Sequence, residues 1–323
     1  MLDDRPRRSA RRLLLLAPLV LACGCASTDD GSDRAGLTED QLAAYRVEVG
    51  DLETRPVALI DEREPGEVLT DLDVQLQRWN ELLLSSDDAD QRARRSMEEH
   101  LRLRARNHFE LLSDRLVDGI VRHRTIAAAA IGFSADDAAT PLLVAALDDE
   151  SVDVVDAALL GIGMLADPAT PMGPLARKLE QGVDGWTRSN AAFAIKKLLE
   201  AGAPKNQVHT SLRLALLDSW DSVRAQAAAA LMIVGERKDI VSLEDALYDP
   251  ATMVVLAAAK GVRRIGEEDD SARGEAARAL FDAWQERDGR SVRAILRDQM
   301  AQLAQRNFGD EADQWREWAY GLP

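Results

Sequence analysis

Cysteine and histidine are the side chains most able to act as nucleophiles or metal ligands, and this chain of 323 residues holds two cysteines and four histidines. Cys23 and Cys25 lie one residue apart, at the end of an uncharged run from Leu13 to Ala22. His100 and His108 are eight residues apart, which on one helix would place them about 80° apart around the axis. A helical zinc pair sits four residues apart, and His123 and His209 are isolated. No Gly-x-Ser-x-Gly elbow, Gly-rich phosphate loop or Asp-x-Asp-x-Asp-Gly calcium loop is present. The acidic run Glu267, Glu268, Asp269 and Asp270 is expected to be a solvated loop rather than a calcium site. We therefore expect no catalytic constellation, no metal and no cofactor, so that the chain is not an enzyme.

The cysteines point to a different chemistry. Five arginines (Arg5, Arg7, Arg8, Arg11 and Arg12) precede the apolar run, which is too short to span a bilayer, since a spanning helix needs about 20 apolar residues. A basic stretch followed by a short apolar one has the form of an export signal. Val20-Leu21-Ala22-Cys23 resembles the lipobox of bacterial lipoproteins; Ala22-Cys23-Gly24-Cys25 follows the same pattern with Ala in the aliphatic position. The resemblance implies removal of residues 1–22 and acylation of Cys23, or alternatively Cys25. It also implies attachment to the membrane through N-terminal acyl chains, in the cell envelope, with the outer membrane facing the periplasm as the expected address. No cysteine follows Cys25, so the exported body has no disulfide framework.

Charge narrows the partners. The chain is at −16, and without its first 22 residues, which carry five Arg and two Asp, it is at −19. Such a surface repels phosphate backbones, which excludes nucleic acid, and favours an envelope protein with a basic patch. No small-molecule substrate is indicated.

What positions these residues is a repeated helix. Residues 23–68 begin as an acidic, polar tether and end in an ambiguous extended segment. Within residues 69–118, Leu72, Val74, Leu76, Trp79, Leu101, Leu112 and Leu116 give two or three helices, an N-terminal helical cap. From there to residue 323 one pattern returns six times: "HRTIAAAAIG" from His123, "VDVVDAALLG" from Val152, "TRSNAAFAIK" from Thr187, "VRAQAAAALM" from Val223, "VVLAAAKGVR" from Val254 and "VRAILRDQMA" from Val292. Its second position is Arg124, Asp153, Arg188, Arg224, Val255 and Arg293. Alanine pairs such as Ala157/Ala158 and Ala227/Ala228 make flat faces that let helices approach to the short end of the 8–10 Å range. Ile131, Leu160, Ile195, Leu231 and Val262 fill the seams, and each repeat continues into a second apolar run. A single helix pair is too small to bury a core, so the pairs must stack.

The motif resembles HEAT repeats, in particular those of phycobilin-lyase-like proteins, carried best by Asp218-Ser219-Trp220-Asp221-Ser222-Val223-Arg224 and Asp288-Gly289-Arg290-Ser291-Val292-Arg293. The resemblance implies an all-α, right-handed α-α superhelix of the armadillo type, with about six helix pairs over residues 119–323. It implies a rail of Arg–Asp pairs, interrupted at Asp153 and Val255, and a concave face lined by second helices. Partner-binding candidates on that face are Arg177, Lys178, Arg213, Glu244 and Asp245. Trp186 and Trp220 each stand just ahead of a first helix and would project on one edge, as binding residues or as covers for a neighbouring helix end. Trp284, Trp315 and Trp318 are expected in the core. A lipid-anchored, non-catalytic interaction scaffold is the function expected; the alternative, from the lyase-like relatives, is an accessory or catalytic role in handling a chromophore or cofactor.

Overall fold

The computed structural model describes residues 64–83 and 87–323. Among these residues there are fifteen α-helices, two short 3-10 turns and no strand. The signal, both cysteines and nearly all of the tether lie outside the described residues, and the helical part begins at Pro65.

Three helices come first: α1 (Pro65–Leu83), α2 (Asp88–Asn107) and α3 (Phe109–Asp118). Leu72, Leu76 and Trp79 of α1 are buried, but Val74 is exposed, because two residues from Leu72 is about 200° around a helix. Leu103 of α2, two residues past buried Leu101, is exposed for the same reason. His108 is not on α2 at all; it occupies the joint between α2 and α3.

The repeats follow. Their first helices are α4 (Val121–Ile131), α6 (Val152–Leu165), α8 (Gly185–Glu200), α10 (Asp221–Val234), α12 (Thr252–Glu268) and α14 (Arg290–Ala304), each lying directly against the next. Their second helices are α5 (Ala139–Ala146), α7 (Met172–Gln181), α9 (His209–Ala215), α11 (Ile240–Leu247), α13 (Arg273–Glu286) and α15 (Ala312–Gly321). The chain is thus an all-α helical-repeat solenoid. The second helices α5, α7, α9 and α11 pack chiefly on the first helix that follows them in sequence, α13 packs about equally on α12 and α14, and α3 lies on α4 in the manner of the first four. The stacked array therefore takes in α3, the last element of the sequence-assigned cap. At the other end α15 closes against α13, with Trp315 fully buried and its Nε1 donating to the Gly309 carbonyl at 2.9 Å. Trp284 is likewise buried, while Trp318 is half-buried with its ring against Trp315.

Alanine explains the first-helix stack. Ala127 to Ala130 and Ala227 to Ala230 are all buried; alanine loses no rotamer entropy in a helix and leaves the faces flat. Glycines let α4 and α6 approach closely. A Cβ on Gly161 would stand 2.4 Å from the Ala128 carbonyl oxygen, and one on Gly132 would meet the Gly161 backbone. The second helices, as short as seven residues in α9, are below the length that is stable alone in water, and their order comes from packing residues such as Leu143, Leu175, Leu212 and Leu243.

Candidate interaction edge at the repeat turns

The turns that lead into the first helices form one edge of the stack, and an arginine rail runs along it. Arg124, Arg188 and Arg224 are each the fourth residue of their helices, where the side chain can reach back over the turn. Each guanidinium grips the aspartate of the next turn with two nitrogens: Arg124 to Asp149 at 2.8 and 2.9 Å, Arg188 to Asp218 at 2.6 and 2.9 Å, Arg224 to Asp249 at 2.6 and 3.0 Å. The third nitrogen donates to the chain's own turn, at the carbonyls of Gly119, Gly182 and Asp218. Each aspartate also accepts a backbone N–H two residues on, from Ser151, Trp220 and Ala251, at 2.8 Å. Burial alone would raise the Asp149 and Asp218 carboxyls, but the arginine hydrogen bonds and these N–H donors outweigh it and hold both below the ordinary carboxylate range. Bidentate, charge-assisted contacts of this kind are the stronger class of hydrogen bond.

The structure corrects the register of the interruption. The fourth residue of α6 is Val155, not Asp153, because α6 begins at Val152; Asp153 is exposed on the first turn. Val155 is buried, as is Val255 at the same place in α12. Where the arginine is missing, the partner aspartate is missing too. Six residues before Arg188 stands Gly182, whose added Cβ would lie 2.6 Å from the Lys178 carbonyl oxygen. Six residues before Arg293 stands Arg287, which donates instead to the Tyr248 and Asp249 carbonyls at 2.6 and 2.9 Å. Arg293 places its guanidinium 4.5 Å from the centre of the Trp284 ring.

The two edge tryptophans do come together. Trp186 and Trp220 meet edge to face, centroids 5.1 Å apart, a favoured aromatic geometry. Trp220 lies flat over Gly185, so closely that a Cβ there would be 1.9 Å from the indole. It thus covers the start of the neighbouring helix α8 and yet remains 37% exposed, while Val183, in the turn just before α8, is 83% exposed.

The second-helix candidates do not form one site. Arg177 is exposed on α7, and Lys178 approaches Asp148 at 4.0 Å. Arg213 is engaged within the protein, its Nε donating to Asp239 Oδ1 at 2.6 Å. Asp239, fully buried, also receives the Glu236 N–H at 2.7 Å and faces His209 Nε2 at 2.8 Å. The sequence reading overlooked Asp239; its position three residues after Glu236, in a capping box at the turn before α11, was the available signal. Glu244 and Asp245 join an acidic patch: burial raises the Glu244 carboxyl, helped by the charges of Asp282, Asp245 and Glu275. In the acidic run, Glu267 and Glu268 pair with Arg263 and Arg264 one turn back. No group of three or more His, Cys, Asp and Glu among the described residues is arranged to hold a metal, and no helix among them is long and apolar enough to cross a membrane.

No protein-family profile matches the chain, and no curated protein does. Solved structures do match. A designed armadillo repeat protein, YIII(Dq)4CqI, shares 19% identity over 72% of this chain and 99% of its own, with a TM-score of 0.41. An engineered protein shares 18% over 92% and 80%, with a TM-score of 0.47. The complex of CpcE and CpcF of phycocyanin lyase from Nostoc sp. PCC7120 shares 18% over 77% and 98%, with a TM-score of 0.39. All three are below 20% identical to this chain; the solenoid assignment rests on the helix stacking described above.

Proposed function

We propose that this chain is a non-catalytic protein-interaction scaffold of the bacterial cell envelope, anchored by acyl chains on Cys23 or Cys25. The observation that carries the interaction reading is the partly exposed Trp186–Trp220 pair, with the exposed Val183 three residues before Trp186 in the chain. Tryptophan is enriched at binding hot spots, and this pair straddles the junction that Arg188 and Asp218 close with a bidentate contact, so little order has to be gained on binding. The acidic body adds steering toward a basic partner, which salt should weaken as the Debye length shortens from about 10 Å at 0.1 M to about 3 Å at 1 M.

The test is capture from cell-envelope extracts by the full chain. Replacing Trp220 by Ala should reduce partner recovery about tenfold or more, the scale of a hot-spot loss, and 1 M salt should reduce it further. Recovery that ignores both changes would exclude this edge. Mass spectrometry of the N-terminal peptide checks the anchor: acyl mass on Cys23 or Cys25 is expected, and an intact Met1 would refute it.

A further inference from the structure

The second helices α7, α9 and α11 align on the residue of the turn that follows each, Gly182, Asp218 and Asp249. Five places before it stand Arg177, Arg213 and Glu244, and four places before it Lys178, Leu214 and Asp245. The place just before it holds Gln181, Leu217 and Tyr248, and none of these side chains is buried. One face therefore passes from basic on α7, through apolar on α9, to acidic on α11, and Asp282 and Glu286 of α13 extend the acidic end. Neither end is fully compensated within the chain. Arg177 is exposed, and Lys178 reaches Asp148 only at 4.0 Å. Glu180, the one acid of α7, is engaged by Ser211 Oγ at 2.5 Å. At the other end Glu244 faces the like charges of Asp282, Asp245 and Glu275. Between the two, Leu214 is 58% and Leu217 78% exposed, and Val241 of α11 is exposed as well. A lone surface leucine needs no explanation; two that share a stripe, flanked by opposite charges, do.

We propose that this face pairs with the same face of a second copy of the chain, about a two-fold axis that passes by Leu214 and Leu217. In such an isologous contact each copy uses the same patch, and every cross-contact occurs twice. With α9 against α9 at the axis, α7 of each copy lies over α11 of the other. Arg177 and Lys178 then meet Glu244 and Asp245 on both sides, while Leu214 and Leu217 are covered by their own counterparts. Helices α7 and α11 each stand one repeat away from α9, so a single rotation serves both ends. The chain itself offers this order of charge in reverse at the same spacing, which is the reason to name a second copy rather than a foreign segment. The pairing goes beyond the scaffold reading and does not rest on it, since neither the tryptophans nor the anchor enters the argument.

The experiment is sedimentation equilibrium of the full chain from about 1 to 100 μM, with Cys23→Ser and Cys25→Ser so that no acyl chain contributes. A dimer that dissociates on dilution is expected, weaker at 1 M salt, where the Debye length is about 3 Å. Leu217→Glu should leave a monomer with an unchanged melting curve, because that side chain is exposed. Arg177→Glu and Asp245→Arg should each weaken self-association about tenfold or more, since like charges then meet on both sides of the axis. An equal mixture of these two variants should recover the original affinity: on one side the two substitutions face each other, and on the other side the contact is unaltered. A chain that stays monomeric throughout, a dimer indifferent to Leu217→Glu, or a mixture no tighter than either variant alone would overturn the pairing. Self-association is read without any envelope extract, so its failure leaves the scaffold reading where it stood.

Discussion

The α8–α10 and α6–α8 junctions share the same alanine-faced helix contact and differ at their turn edge. At the first, Arg188 and Asp218 close the turn in a bidentate pair; at the second, Val155 and Gly182 stand in those places, and the nearby Asp156 carboxyl faces Thr187 and Asn190 rather than a cation. The difference teaches that such a rail is lost in pairs. A half-buried aspartate without its arginine is an uncompensated charge, far more destabilising than the absence of both.

The largest expected effect breaks a bridged junction. Arg224→Met leaves Asp249, whose side chain is 8% exposed, without its cation and should lower unfolding free energy in urea by about 3 kcal/mol. Adding Asp249→Asn should restore about 1–2 kcal/mol of that loss, since residues in contact couple by about 0.5–3 kcal/mol. A double variant no better than the single one would show that the rail does not act as pairs.

The unbridged junction responds to pH with the opposite sign. With the folded Asp156 carboxyl near 6 and an unfolded value of 3.8, the folded state holds a proton over that interval which the unfolded state releases. Stability therefore declines as pH rises from about 4 to 6, and the penalty is complete above it. Asp156→Asn should stabilise the protein by about 1–3 kcal/mol at pH 7, at about 1.4 kcal/mol per unit, and by little at pH 3.5. Asp149 and Asp218, held low, act conversely: their contribution is present above the unfolded value and is lost as pH falls through their lower folded values. Asp149→Asn should thus cost stability at pH 7. Parallel urea titrations of both variants at pH 3.5 and 7 would expose any error in this assignment.

The smallest effect sharpens the edge itself. Gly185→Ala puts a Cβ where the Trp220 ring lies; because that ring is partly exposed it can swing away, so the stability loss should stay within about 1 kcal/mol. Tryptophan fluorescence should shift to the red, and an unchanged spectrum would mean that the ring does not rest on Gly185.

The solenoid was legible because buried helix seams demand small residues at fixed spacing, as at Ala157/Ala158 and Ala227/Ala228. The phase of the hairpins was not: whether α5 belongs with α4 or α6 depends on turn geometry, and both choices give the same apolar pattern. The rail register failed at repeat two for a related reason. Asp153 and Val155 both precede the alanines closely, and only the start of α6 at Val152 decides which is fourth. Trp186 and Trp220 were readable as edge residues, but their contact depends on the bare backbone of Gly185. Arg213 read as a free surface charge because its partner Asp239 is 26 residues away, in a turn without hydrophobic periodicity.

One property of the rail reaches beyond the edge. Asp218 is held twice, its carboxylate by Arg188 and its carbonyl by Arg224; Asp249 is held likewise, by Arg224 and Arg287. The ties share residues, so the turns preceding α8, α10, α12 and α14 are linked hand over hand, while the turn preceding α6 has its bidentate grip from Arg124 and a longer contact from Lys178 at 4.0 Å. In a quasi-one-dimensional array the nearest-neighbour couplings decide whether repeats melt singly or as a block. The chain should accordingly behave as two cooperative segments with a seam at α6–α8, and an opening fluctuation that begins there would be stopped on one side by a zipper of guanidinium groups.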